Sequence, residues 1–189
     1  MKFIVYIIVC LQSFSLVASE MEEVFKHRFY SNYRAGQCVS NSKNFLNELN
    51  RIGLDLNSHW YITVEAKGLG LVGLINAENA RDLDSDNDII AVDKNWKQHA
   101  FVTDDELNVY DFAFGTFPLV VPLETYLFQM FLDEDDARDD GMYRSMEDKF
   151  FDYTLSWHKV IQTDTGELHY TTVKVQSFND FLSAPSIPE

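Results

Sequence analysis

The feature that most constrains the fold is the segment HAFVTDDELNVYD, which spans residues 99–111. Two short runs of apolar residues flank an acidic turn at about Asp104 and Asp105, as the strands of a hairpin flank their turn. Paired strands lie about 4.8 Å apart, so the open ends of a hairpin are neighbours wherever the rest of the chain lies. The pattern therefore predicts that His99, which opens the first strand, lies beside Asp111, which closes the second.

The other periodic segments predict a helix before this hairpin and further strands around it. Apolar residues recur at helical spacing from Cys38 to Ile52, and Gly53 is a typical C-terminal residue for such a helix. We expect an α+β fold with an antiparallel sheet, in one domain spanning residues 20–189. Strands are predicted at 60–66 and 89–93 and on both sides of the turn TDTGE, a helix is predicted at 122–132, and the segment 68–83 is ambiguous.

The first residues have the pattern of a secretory signal peptide. Lys2 precedes an apolar run from Phe3 to about Leu16, and small residues surround a cleavage position after Ser19. This run is shorter than the roughly 20 residues of a comfortable membrane span, although an uncleaved anchor is the alternative. We expect residues 1–19 to be removed, the protein to be secreted or periplasmic, and no stable membrane insertion to follow cleavage.

The charge balance excludes one class of partner and is compatible with another. Thirty acidic residues face 15 basic residues, which gives a formal net charge of −15. An acidic surface repels phosphate backbones, so we expect no nucleic acid partner. A cationic partner surface or divalent cations would suit the same charge.

Cys38 is the only cysteine expected after signal cleavage, because Cys10 lies in the signal peptide. Exported proteins usually pair their cysteines, so a single thiol is buried and inert, linked to another chain, or a nucleophile. A helix start favours the thiolate, and an oriented imidazole favours it further. His99 and Asp111 supply an imidazole and an orienting carboxylate. The other histidines show no acidic partner at such a spacing; they are His27, His59, His158 and His169.

The order of these residues resembles that of papain-like and transglutaminase-like cysteine enzymes. The segments GQCVSNSKNFL and HAFVTDDELNVYDFAFG are similar to core motifs of bacterial papain-like toxin and protein-glutamine deamidase domains, over about residues 30–118. The resemblance implies a papain-like or transglutaminase-like core, with an N-terminal catalytic helix packed on the antiparallel sheet. It also implies Cys38 as nucleophile, His99 as general acid and base, Asp111 as the orienting residue, a protein or peptide substrate, and no required cofactor.

The same resemblance suggests two donors for an oxyanion hole. Papain-like enzymes place an amide side chain six residues before the cysteine, and Asn32 occupies that position here. Gln37, directly before the cysteine, is the competing amide. In either case we expect the backbone N–H of Cys38 to contribute.

Three functions are compatible with this pattern. The first is a secreted thiol hydrolase acting on carboxamide or peptide bonds, with protein-glutamine deamidation as one form; the CGSCW run of papain itself is absent. The second is a CHAP-type cell-wall amidase, a family that also carries GQC but normally has GHV where this chain has QHAFV. The third is a non-catalytic secreted binding or immunity protein in which Cys38 is buried.

The segment DLDSDNDIIAVD, residues 82–93, resembles a calcium-binding loop. Aspartates fall at positions 1, 3, 5, 7 and 12, as in an EF-hand. Position 6 is Asn87 instead of glycine, and the following residues favour a strand, so a solvated acidic loop is the alternative. The candidate calcium ligands are Asp82, Asp84, Asp86, Asp88 and Asp93.

Overall fold

The computed structural model describes residues 20–66, 73–74, 80–83, 89–91, 95–96, 98–131 and 153–188. Its helices are α1 over 20–31, α2 over Cys38–Arg51, α3 over Leu123–Phe131 and α4 over Phe178–Ser183. Its strands are β1 Trp60–Ala66, β2 Gly73–Leu74, β3 Arg81–Leu83, β4 Ile89–Ala91, β5 Asn95–Trp96, β6 Gln98–Thr103, β7 Asn108–Tyr110, β8 Val120–Pro122, β9 Tyr153–Gln162 and β10 Leu168–Ser177.

The described strands form one main antiparallel sheet and two small ones. The main sheet has six strands in the order β10-β9-β1-β6-β7-β8, and every neighbouring pair is antiparallel. The small sheets pair β2 with β5 and β3 with β4. The predicted α+β class is therefore confirmed, as are the helix that starts at Cys38 and the hairpin of β9 and β10.

The β6–β7 hairpin has a register that differs slightly from the predicted one. Thr103 pairs with Val109 and Val102 pairs with Tyr110, which centres the connection on Glu106 instead of Asp104 and Asp105. The turn lies further along the chain than predicted because Asp104 Oδ1 accepts hydrogen bonds from the backbone N–H groups of residues 106 and 108. Side chains alternate with a period of two, so His99 and Asp111 stay on one face, as diagonal instead of direct neighbours.

Helix α2 covers one face of the main sheet with a single apolar side. Phe45, Leu46 and Leu49 are fully buried. Gly53 follows the end of the helix with a φ of +89°, which a residue with a side chain would rarely adopt. These side chains share a core with helix α1 and the sheet. That core includes Phe25, Phe29, Tyr61, Ala100, Val102, Tyr110 and Phe112.

Helices α3 and α4 cover the opposite face. Alternate residues of β1 divide between the two sides, with Ile62 in this core and Tyr61 in the other. Trp157 of β9 is fully buried here and lies edge-on to Trp60. No helix in the part of the chain described is long and apolar enough to cross a membrane, and the predicted signal peptide at 1–19 lies outside that part.

Phe45 is predicted to contribute strongly to stability because it packs helix α2 onto the sheet. Phe45→Ala leaves a cavity in the core and should lower the free energy of unfolding by about 3–5 kcal/mol in urea titrations. Phe117→Ala is the matched control because Phe117 is 55% exposed, and it should change stability little. Equal losses for the two variants would contradict this packing.

Candidate active site

Cys38 lies at the first residue of α2, beside an open edge of strand β6. The last pair of the β6–β7 ladder is Val102 with Tyr110, so β6 continues beyond its partner toward Gln98. Side chains of α2 meet this edge: Ser42 Oγ donates to the Ala100 carbonyl at 3.1 Å, and Cys38 Sγ lies 4.0 Å from the Gln98 carbonyl oxygen. The helix start is thereby held against the strand that carries His99.

His99 and Asp111 form a buried pair at the same place. His99 Nε2 lies 2.9 Å from Asp111 Oδ2, and the two side chains are 1% and 2% exposed. The carboxylate also accepts from the Tyr126 hydroxyl at 2.8 Å and from the Ala113 backbone N–H at 3.0 Å. Three donors thus hold Asp111 in one orientation, and Asp111 in turn fixes the imidazole ring.

The thiol and the imidazole shift each other's proton affinity. Burial opposes a charge on His99, but the charge and hydrogen bond of Asp111 and the contact with Cys38 outweigh it and raise the pKa of His99 to about 9. Burial likewise opposes a thiolate, but the hydrogen bond and charge of His99 lower the pKa of Cys38 below its ordinary value. The raised pKa of His99 and the lowered pKa of Cys38 both favour a thiolate–imidazolium pair at neutral pH.

A pocket open to solvent leads to the thiol. Its volume is about 50 Å³, and Cys38 itself is half-buried on its wall. The sulfur is therefore accessible from solvent, while His99 and Asp111 are buried. The lining residues are Tyr33, Arg34, Gly36, Cys38, Asn41, Gln98 and Ala113.

Asn41 holds the loop that forms one wall of this pocket, a role the sequence did not suggest. Its side-chain Nδ2 donates to the Arg34 carbonyl at 2.8 Å, and its Oδ1 accepts from the Arg34 N–H at 3.2 Å. Asn41 follows Cys38 by one helical turn, so the loop and the thiol are positioned by the same helix.

Arg81 is a second residue that the sequence did not reveal. Its guanidinium carbon lies 3.5 Å from the Phe29 ring centroid and 3.8 Å from that of Tyr33, and its Nη2 donates to the Phe29 carbonyl at 2.8 Å. Its backbone N–H donates to the Ala113 carbonyl, two residues after Asp111. Arg81 therefore links Phe29 of α1, Tyr33 in the loop that lines the pocket, and Ala113 in the segment after Asp111.

The two predicted oxyanion donors lie near the site but outside the pocket lining. Asn32 is exposed, and its amide donates to the Ser31 hydroxyl at 3.0 Å. Gln37 is exposed at the N-cap of α2 and makes no side-chain cap bond. The amide side chains in the pocket lining belong to Asn41 and Gln98, and Gln98 Nε2 donates to Glu65 at 3.0 Å.

The candidate calcium loop lies mostly outside the described residues. The backbone of Asp82 belongs to β3, whereas Asp84, Asp86, Asp88 and Asp93 fall in undescribed segments. The described flanks, β3 and β4, pair as strands and do not form the two helices of an EF-hand. Among the residues described, no group of three or more metal-ligating side chains comes together.

Comparison with known proteins does not assign a family. No family model matches the chain, and no curated protein matches its sequence. The resemblance to papain-like and deamidase domains therefore stays a prediction, and function is inferred from the geometry of the described residues.

Tyr126→Phe should destabilise the protein because it removes one donor from a buried carboxylate. A hydrogen bond to a charged group contributes about 1.5–3 kcal/mol, and we expect a loss of this size in chemical unfolding. Tyr30→Phe removes the same hydroxyl from a residue that is 62% exposed and should have no measurable effect. A Tyr126→Phe variant as stable as Tyr30→Phe would contradict the assigned role of the Tyr126 hydroxyl.

Proposed function

We propose that this protein is a thiol hydrolase that cleaves carboxamide or peptide bonds through Cys38, His99 and Asp111, on a papain-like or transglutaminase-like core. One arrangement carries the proposal: a half-buried thiol lines a pocket beside the strand that holds a buried imidazole, whose Nε2 lies 2.9 Å from Asp111 Oδ2, and the thiol and the imidazole shift each other's pKa in opposite directions. A nucleophile, a base and an orienting acid in this order are what acyl transfer requires. A purely structural cysteine has no need of such partners.

In the acylation step, the Cys38 thiolate attacks the carbonyl carbon of the substrate amide. A C–S bond forms, and the negative charge moves to the carbonyl oxygen. Collapse of this intermediate breaks the C–N bond, and the departing nitrogen takes the proton of the His99 imidazolium. The leaving group is ammonia from a carboxamide or an amine from a peptide bond, and a thioester remains on Cys38.

In the deacylation step, water hydrolyses the thioester. Neutral His99 takes a proton from the water as the oxygen attacks, and the C–S bond breaks. This releases a carboxylic acid and restores the thiolate–imidazolium pair. We propose the backbone N–H of Cys38 as an oxyanion donor in both steps, since N–H groups in the first turn of a helix lack intrahelical acceptors.

The first substrate class to test is the glutamine side chain in an extracellular protein. The motif resemblance to glutamine deamidase domains supports this choice, and the signal-peptide pattern supports export. Ammonia release without new peptide N-termini from a glutamine-rich protein is expected. New N-termini would indicate a peptidase, and soluble products from purified cell wall would indicate an amidase. Each activity should vanish in Cys38→Ser.

The pH dependence of Cys38 alkylation tests the thiol–imidazole pair directly. In His99→Gln, burial and the negative Asp111 still oppose the thiolate while the hydrogen bond and charge of His99 are lost, so the pKa of Cys38 should rise. At pH 6 the rate with iodoacetamide should then fall, because a smaller share of the thiol is ionised. The difference from the wild type should narrow as the pH rises through the pKa of the variant thiol.

His169→Gln is the matched control because His169 is 61% exposed, and its alkylation profile should follow that of the wild type. Labelling that occurs only on unfolding, or a His99→Gln profile equal to the wild type, would overturn the proposal. That outcome would favour a non-catalytic binding protein.

A further inference from the structure

Arg34 is an exposed residue on the wall of the Cys38 pocket, and its side chain ends in a guanidinium. The residue lines the same pocket as the thiol, and its side chain is open to solvent. Its backbone is held at both the N–H and the carbonyl by Asn41. The Cα position of Arg34 is therefore fixed relative to Cys38, and only the Arg34 side chain is left to change conformation.

This guanidinium has no acidic partner in the described part of the chain, although the protein is strongly acidic. The other arginines described are engaged: Arg28 and Arg51 pair with Glu48, and Arg81 is buried against Phe29. A protein with a net charge of −15 has ample carboxylates to neutralise a surface arginine. Among the described residues, the positive charge beside the nucleophile is left for a ligand.

We propose that Arg34 binds a carboxylate of the substrate, so that the preferred substrates are amides with an acidic group next to the scissile carbonyl. This inference rests on the proposed thiol hydrolase function and adds the substrate class. A guanidinium pairs with a carboxylate through two parallel N–H···O bonds, which fixes orientation as well as charge. An acidic residue or a free α-carboxylate beside the target amide would satisfy it.

The test compares two alkylating reagents that differ only in charge. Iodoacetate carries a carboxylate and iodoacetamide a neutral amide, and both transfer a two-carbon group to the thiolate with loss of iodide. The ratio of their rates at Cys38 measures anion recognition independently of thiol ionisation. Arg34→Gln should lower the iodoacetate-to-iodoacetamide ratio by about two- to fivefold, the factor typical of an exposed ion pair.

Two further variants complete the design. Arg34→Lys keeps the positive charge and should retain most of the wild-type ratio, which separates charge from loop structure. Arg51→Gln removes an arginine that is 72% exposed on α2 and pairs with Glu48, and it should leave the ratio unchanged. Since the Arg34 side chain is exposed, none of these changes removes a core contact.

The outcomes separate this inference from the proposed function. An iodoacetate-to-iodoacetamide ratio that is unchanged in Arg34→Gln would overturn anion binding, whether both rates stay the same or fall by the same factor; the second result would make Arg34 a positioning residue only. If alkylation still depended on His99 in either case, the thiol hydrolase proposal would stand. Loss of the His99 dependence would instead overturn the hydrolase and, with it, the substrate class.

Discussion

The contact between the first turns of helix α2 and the open edge of strand β6 is the interaction on which the site depends. Strand β6 extends past β7, and its exposed edge meets Ser42 and Cys38 instead of another strand. An open strand edge normally invites association with another chain, so covering it serves stability as well as function. The same contact brings the helix N-terminus, the imidazole of His99 and the pocket loop together.

Electrostatics then decide what this arrangement can do. Burying an imidazolium costs free energy, and Asp111 offsets that cost through a short hydrogen bond and its charge. Asp111 is itself held by Tyr126 and by the backbone of Ala113, so its orientation does not depend on the substrate. A shielded acid–base pair beside a solvent-accessible thiol is the kind of perturbed titratable cluster that marks active sites.

Local signals in the sequence were enough to predict the elements that carry Cys38, His99 and Asp111. The alternation around the DDE turn predicted the β6–β7 hairpin, and helical periodicity ended by Gly53 predicted α2. The register was displaced because the Asp104 carboxylate caps the turn, yet His99 and Asp111 kept a common face. Because a short turn joins β6 to β7, the closeness of His99 and Asp111 could be predicted from the sequence.

The features of the fold and the site that the sequence did not predict are formed by contacts between residues that are distant in sequence. That β9 pairs with β1 in the middle of the sheet follows from tertiary packing, to which no local pattern points. Tyr126 reaches Asp111 from a helix predicted only by its period, and Arg81 comes from a segment with ambiguous periodicity. Asn41 looks like an ordinary helix residue until the loop at Arg34 folds back onto it.

The thiolate–imidazolium pair oriented by Asp111 is tested most directly by measuring the protonation state of His99 at neutral pH. Nitrogen-15 NMR of the imidazole distinguishes the doubly protonated ring from either neutral tautomer. We expect a doubly protonated His99 at pH 7 that loses its proton near pH 9, with a lower pKa in Cys38→Ala. A neutral His99 at pH 7, with a pKa unaffected by removal of the thiol, would contradict it.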